Sequence, residues 1–227
     1  MRDRDRLFII VLSLVMLTGL MASPALAAKR VALVIGNADY KSSPLTNPTN
    51  DARDMASVLK SLNFDVILIT DADKKKMVDA IRAFGKKLGA SEIGLFYYAG
   101  HGMQIKGTNY LIPVKTSIRE ESEVEFEAID AGRVLAKMDG AGNPMNIVIL
   151  DACRDNPFKR SFRTSKAGLA RMDAPPGTVI AYATSPGSVA EDGKGRNGTY
   201  TGALLKYLQD PKLDIYRIFN TTGLNVM

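Results

Sequence analysis

The chain has one cysteine and one histidine, and little else of the chemistry that marks specialised proteins. A single cysteine excludes an internal disulfide, so stability has to come from packing. The lone glycine after the first apolar run, Gly36, does not continue into a G-x-G-x-x-G pattern, which excludes a dinucleotide fingerprint there. Basic residues are not interleaved with stacking aromatics in any recognisable module, so nucleic acid is not expected as a partner. There are no internal repeats and no low-complexity segments. The net charge of +6 is modest, and much of the excess lies in one stretch, where Arg154, Lys159, Arg160, Arg163, Lys166 and Arg171 face only Asp155. Such a run reads as a solvated loop.

No apolar run reaches the roughly 20 residues that a membrane-spanning helix needs. The longest, Leu7 to Met21, follows Arg2, Arg4 and Arg6 and precedes Ala25-Leu26-Ala27. A basic start, a short apolar centre and an A-x-A site are the parts of a cleavable secretory signal. Residues 1–27 are therefore expected to be a signal peptide, and residues 28–227 one exported domain with a sizeable core. No cysteine near the cut could carry a lipid, so no stable membrane anchor is expected and the address is a bacterial periplasm or the medium.

Against that sparse background two stretches stand out. Ile93 to Tyr98 is an apolar, aromatic-rich run followed by Ala99-Gly100-His101-Gly102, and Asn146 to Leu150 is a β-branched run followed by Asp151-Ala152-Cys153-Arg154. Both have the length of buried strands, and each stops where a loop with the chain's only residue of its kind begins. Singly, a lone cysteine is more often a small buried hydrophobe and a lone histidine a satisfied polar residue. Together, at two strand ends of a parallel sheet, they would share the rim where α/β sheets bind ligands, with neighbouring strands about 4.8 Å apart.

The rest of the mature chain alternates in the same way. Val31 to Ile35, Phe64 to Ile69 and Thr178 to Tyr182 read as further strands, the last following a long basic loop from Arg154 to Pro176. A helix capped by Asn50 or Asp51 carries Met55, Val58, Leu59 and Leu62 on one face; Lys74 to Leu88 is a second, with Met77, Ile81, Phe84 and Leu88 together. Met103 to Ile105 and Tyr110 to Ile112 flank a Lys106-Gly107-Thr108-Asn109 turn, and Glu123 to Met138 and Tyr200 to Leu208 read as helices. Strands alternating with helices imply an α/β fold with a mostly parallel central sheet.

The stretches LFYYAGHG and VILDACRD resemble the histidine and cysteine motifs of the caspase-like peptidases, at a separation of about 50 residues. KRVALVIGNADY is similar to that family's first strand, NDARDMASVLKSLNFDV to its first helix and second strand, and TVIAYATSPGS to the strand after the cysteine. The resemblance runs from Lys29 to Leu208 and is nearest to the metacaspase, orthocaspase and paracaspase branch. It implies a three-layer sandwich with helices on both faces of the sheet, and a cysteine endopeptidase. In that reading His101 and Cys153 form a dyad, and the N–H groups of Gly102 and Cys153 form the oxyanion hole. No third, orienting residue is named. Relatives usually have a sixth strand, for which the end of this sequence offers no clear match.

The resemblance also bears on specificity. Where aspartate-specific caspases carry Ser-Trp-Arg after a T-x-P-G turn, Thr184-Ser185-Pro186-Gly187 is followed here by Ser188-Val189-Ala190-Glu191-Asp192. Asp51 and Asp151 also match acidic pocket positions of metacaspases and paracaspases. Singly, Asp51 could be only a helix cap and Glu191-Asp192 only a solvated loop. Together Asp51, Asp151, Glu191 and Asp192 imply a negatively charged pocket and a peptide or protein substrate with arginine or lysine before the cut. No match to the acidic calcium cluster of some metacaspases is present, so no metal or cofactor is expected. Self-processing in the basic loop from Lys159 to Arg171 is a further expectation. The competing reading is a binding or scaffold protein that keeps an idle dyad.

Overall fold

The structure, a computed structural model, describes residues 29–152, 168–184 and 195–226. Its frame is a five-stranded parallel sheet in the order β2-β1-β3-β7-β8, formed by β1 (Arg30–Gly36), β2 (Phe64–Thr70), β3 (Ile93–Ala99), β7 (Met145–Asp151) and β8 (Thr178–Tyr182). Because side chains alternate along a strand, the three central strands, apolar almost throughout, feed two cores at once. Leu33, Ile35, Phe96, Tyr98, Val148 and Leu150 face one layer; Val34, Leu95, Tyr97, Ile147 and Ile149 face the other.

The helices complete the sandwich. On the second face lie α1 (Pro48–Ser61), with Met55 and Leu59, and two helices after the sheet, α5 (Thr199–Leu208) and α6 (Ile215–Asn225), with Leu204 and Ile218. On the first face lie α2 (Lys74–Leu88), with Met77, Phe84 and Leu88, and α4 (Ala131–Asp139), with Val134, Leu135 and Met138. Helix α2 starts because Asp73 sits in extended geometry and accepts from the Lys76 N–H at 2.9 Å. Phe84 has no exposed surface, and truncating such a side chain costs about 3–5 kcal/mol.

Above the carboxyl ends of the strands sits a small antiparallel sheet of β4 (Gly102–Ile105), β5 (Thr108–Leu111) and β6 (Ile129–Asp130). Tyr40, Met103, Ile112, Val114, Ile118 and Val124 form a third apolar cluster beside it. This layer fixes the rim, because β4 begins immediately after His101.

Several elements differ from expectation. The hairpin turn is the two-residue Lys106-Gly107, with Ile105 opposite Thr108, so β5 starts earlier than alternation implied. The continuous helix expected over Glu123 to Met138 is broken into a short α3 (Val124–Glu127), the β6 bridge and α4. Ala128 is extended there, and Asp130 restarts the helix by accepting from the Gly132 N–H at 2.7 Å. Asn50 and Asp51 do not cap α1: Pro48 is its first residue, and both lie inside the first turn. Helix α6, near the end of the chain, was not anticipated.

Candidate active site

The register makes the rim. Strands β3 and β7 are parallel neighbours, with Ala99 opposite Asp151. His101 and Cys153 each follow two positions later in the sequence. Cys153 lies outside the described residues, as do Glu191 and Asp192, so the structure builds this site from the histidine side.

His101 is 2% exposed. Its Nε2 lies 2.7 Å from the backbone carbonyl of Ser43. A carbonyl can only accept, so Nε2 carries the proton and donates. The neutral ring then keeps its lone pair on Nδ1, the nitrogen through which it can exchange a proton. Sequence reasoning found no orienting group because the orienter is a main-chain oxygen. Ser43 presents it from φ +59°, an uncommon conformation for a non-glycine residue.

The loop that carries Ser43 is pinned along its first residues. Asp71 Oδ1 accepts from the N–H groups of Ala38 and Asp39 at 2.8 and 2.9 Å. Buried Asn37 accepts from the Ala72 N–H at 2.9 Å and donates to the Ile112 carbonyl at 3.2 Å. Tyr40 packs its ring 4.4 Å from the imidazole, and its hydroxyl accepts from the His101 N–H at 3.0 Å. The Tyr98 hydroxyl lies 2.8 Å from the His101 carbonyl. Burial pushes both phenols well above their ordinary range, which keeps them protonated.

The flanking glycines are required by close approach. Gly100 has φ +153°, and a Cβ there would sit 2.7 and 2.8 Å from the Tyr40 and Tyr98 hydroxyls. A Cβ on Gly102 would lie 2.8 Å from the Ala152 carbonyl oxygen and 3.2 Å from Leu169. The residue before Cys153 therefore packs directly against the start of β4.

The two described acids meet at the first turn of α5. Asp51 is fully buried, and its Oδ1 accepts from the Gly198 N–H at 2.9 Å. Asp151 is 1% exposed, and its Oδ2 accepts from the Thr201 hydroxyl at 2.8 Å. One turn below Asp51, Asp54 takes two hydrogen bonds from Arg196 at 2.9 Å each and one from Asn197 at 2.9 Å. The Arg196 guanidinium holds the Asp54 carboxyl below the usual carboxylate range. The Asn50 amide also donates to the Arg196 carbonyl. Asn50, Asp51 and Asp54 of the NDARD stretch thus clamp the segment after the Glu191-Asp192 loop; their spacing on a helix was the available signal. Ser43, Tyr40, Thr201 and Arg196 had none.

An open hollow of about 450 Å³ runs along α5, lined by Arg196, Thr199, Lys206, Tyr207 and Asn225 among others; it holds none of the sequence-predicted residues. Among the described residues no group of three or more His, Cys, Asp or Glu side chains is placed to hold a metal ion.

A parallel sheet flanked by helices on both faces, with one buried, oriented histidine at a central strand end, is a three-layer α/β domain whose candidate site lies at the carboxyl rim of the sheet. The sequence profile described as Caspase domain matches residues 29–226, and the chain belongs to that family of cysteine peptidase domains. It is 29% identical over 194 residues to the human mucosa-associated lymphoid tissue lymphoma translocation protein 1, and equally to the mouse homolog, covering 85% of this chain. The chain spans 23% of the human protein's length and 22% of the mouse protein's. Among solved structures, the Drosophila initiator caspase Dronc superposes with a TM-score of 0.62 at 14% identity, over 86% of this chain and 72% of that one.

Proposed function

We propose that this chain is an exported cysteine endopeptidase that cuts peptide bonds after arginine or lysine, with Cys153 as nucleophile and His101 as its acid-base partner. The observation that carries the reading is the His101 imidazole, buried and fixed by Ser43 with Nε2 protonated, at the end of the strand beside the one leading to Cys153. An imidazole held this way, and not left to rotate, is what proton transfer needs.

In the reaction His101 Nδ1 takes the proton of the Cys153 thiol, and the thiolate attacks the substrate carbonyl carbon and forms a C–S bond, while the carbonyl oxygen becomes an oxyanion. The N–H groups of Gly102 and Cys153 receive that charge. Collapse breaks the C–N bond, and His101 protonates the leaving amine. A water then gives a proton to His101 and forms a C–O bond with the thioester carbon; the C–S bond breaks, the acid leaves, and the Cys153 sulfur takes its proton back from the imidazolium. The basic preference is supported by buried Asp51 and Asp151, to which Glu191 and Asp192 would add. A buried cation needs such opposite charges and hydrogen bonds.

The test uses the mature protein and peptides varied only at the residue before the cut. Arginyl and lysyl peptides are expected to be cut and aspartyl peptides left intact. Cys153→Ala and His101→Ala each abolish turnover, and iodoacetamide labels Cys153 faster in wild type than in His101→Ala. Turnover by clean Cys153→Ala sinks the mechanism, and a preference for aspartyl peptides sinks the pocket. Export is checked separately by sequencing the amino terminus of the secreted or periplasmic form, which should begin at Ala28.

A further inference from the structure

We infer that Thr201, backed by Tyr97, is a positioning residue that sets the preference for a guanidinium over a neutral side chain by holding the Asp151 carboxylate. The inference rests on the basic-pocket reading above and adds to it a residue that never touches substrate.

Proton directions order the contacts around Thr201. The Thr201 hydroxyl stands 2.8 Å from Asp151 Oδ2 and 2.6 Å from the Tyr97 hydroxyl. It has one proton. A carboxylate only accepts, so that proton points to Asp151, and Thr201 must take its second bond from the phenol. The order is therefore Tyr97 to Thr201 to Asp151, a chain in which each donor polarises the next. Tyr97 and Thr201 are fully buried. Tyr97 belongs to the apolar cluster toward α5 that also holds Ala99, Ile149, Ala181 and Leu204.

Thr201 is the third residue of α5, so the carbonyl four residues back, that of Asn197, precedes the helix. A hydroxyl inside a helix usually bonds the carbonyl four residues back. Thr222 does so on α6, donating to Ile218 at 2.7 Å. Thr201 instead turns outward from α5 to the last residue of β7. The same helical turn gives its Gly198 N–H to Asp51. One turn of α5 thus holds a carboxylate from α1 and another from β7, each against rotation. A planar guanidinium, which reads carboxylates in pairs at fixed separation, is more sensitive to that setting than a side chain of the same shape without charge.

Two fluorogenic peptides, identical except for arginine or citrulline before the cut, measure it, because citrulline matches arginine in size and lacks its charge. Wild type should favour arginine strongly in kcat/KM. Thr201→Val keeps shape and apolar packing but removes the donor, and should lower the arginine-to-citrulline ratio at least about tenfold. Thr201→Ser restores the hydroxyl and should return the ratio to within about twofold of wild type. Tyr97→Phe removes only the outer donor and should lower the ratio about threefold; it carries the test should Thr201→Val fail to fold. Iodoacetamide labelling of Cys153 and the melting temperature report the fold of each variant. If Thr201→Val and Tyr97→Phe both leave the ratio at its wild-type value, or lower both substrates in parallel, the inference is overturned while the pocket stands. If wild type itself cuts both peptides equally, the pocket reading falls and takes this inference with it.

Discussion

Two phenol hydroxyls hold the backbone on either side of the His101 imidazole, so their removal separates orientation from chemistry. Tyr40→Phe keeps the ring against the imidazole but strips the acceptor from the buried His101 N–H. The expected cost is about 1–3 kcal/mol of stability, read by urea unfolding, with kcat falling more than KM rises. Unchanged stability would mean that the N–H finds another acceptor. Buried phenols also make a statement about pH. Burial raises Tyr40, Tyr98 and Tyr200, the last pushed further by Asp151. Their folded values lie above the unfolded value of about 10, so their contribution is present in full below about pH 10 and is lost as pH rises from there. The urea midpoint should hold from about pH 8 to 10 and then drop, less steeply in Tyr200→Phe. A midpoint that stays level to about pH 11 would contradict this. At this scale the sequence showed His101 through its uniqueness and its glycines. It could not show Ser43, because a carbonyl belongs to every residue and only the chain path selects one.

Among the elements, the second half of the basic loop is tied to the layers around it. Asn109, buried on β5, donates to the Ala170 carbonyl and accepts from its N–H, both at 2.7 Å. Leu169 is 1% exposed, and the Met172 N–H donates to the Tyr182 hydroxyl at 3.0 Å. A protease binds its substrate extended and unpaired, so a chain tied at 169, 170 and 172 resists cutting. Self-processing, if mass spectrometry finds it, should therefore fall after Lys159, Arg160, Arg163 or Lys166 and not after Arg171. Residues 159–167 of that loop lie outside the described residues. Asn109→Ala should free the strap and admit a cut at Arg171; a wild-type product beginning at Met172 would refute the strap. Periodicity placed α2, whose pattern answers to a single face, and continuous apolar runs placed the strands of the parallel sheet, each to within a residue. It failed over Glu123 to Met138, where the apolar spacing suits a helix but β5 offers Ile129 and Asp130 a pairing partner.

For the whole molecule, stability should grade from the sheet's centre outward. Strands β1, β3 and β7 are bonded on both edges and bury nearly every side chain, whereas β2 and β8 each pair with one described strand and are only partly covered. Native-state hydrogen exchange should find the slowest amides in Val31 to Ile35, Leu95 to Tyr98 and Ile147 to Leu150, with β2 and β8 opening earlier. Equal protection across all five strands would mean a single cooperative unit.

The sequence by itself determined the α/β class, the five strands and the two strand ends that carry His101 and Cys153. Those depend on local alternation and on residues that occur once, and both can be read along the chain. The tertiary structure alone decided which groups bond His101 and the two buried acids. Ser43 reaches His101 across 58 positions, Gly198 reaches Asp51 across 147, and Thr201 reaches Asp151 across 50. Each bond joins ordinary residue types, whose roles exist only once the sheet brings distant rims and helix ends within hydrogen-bond range.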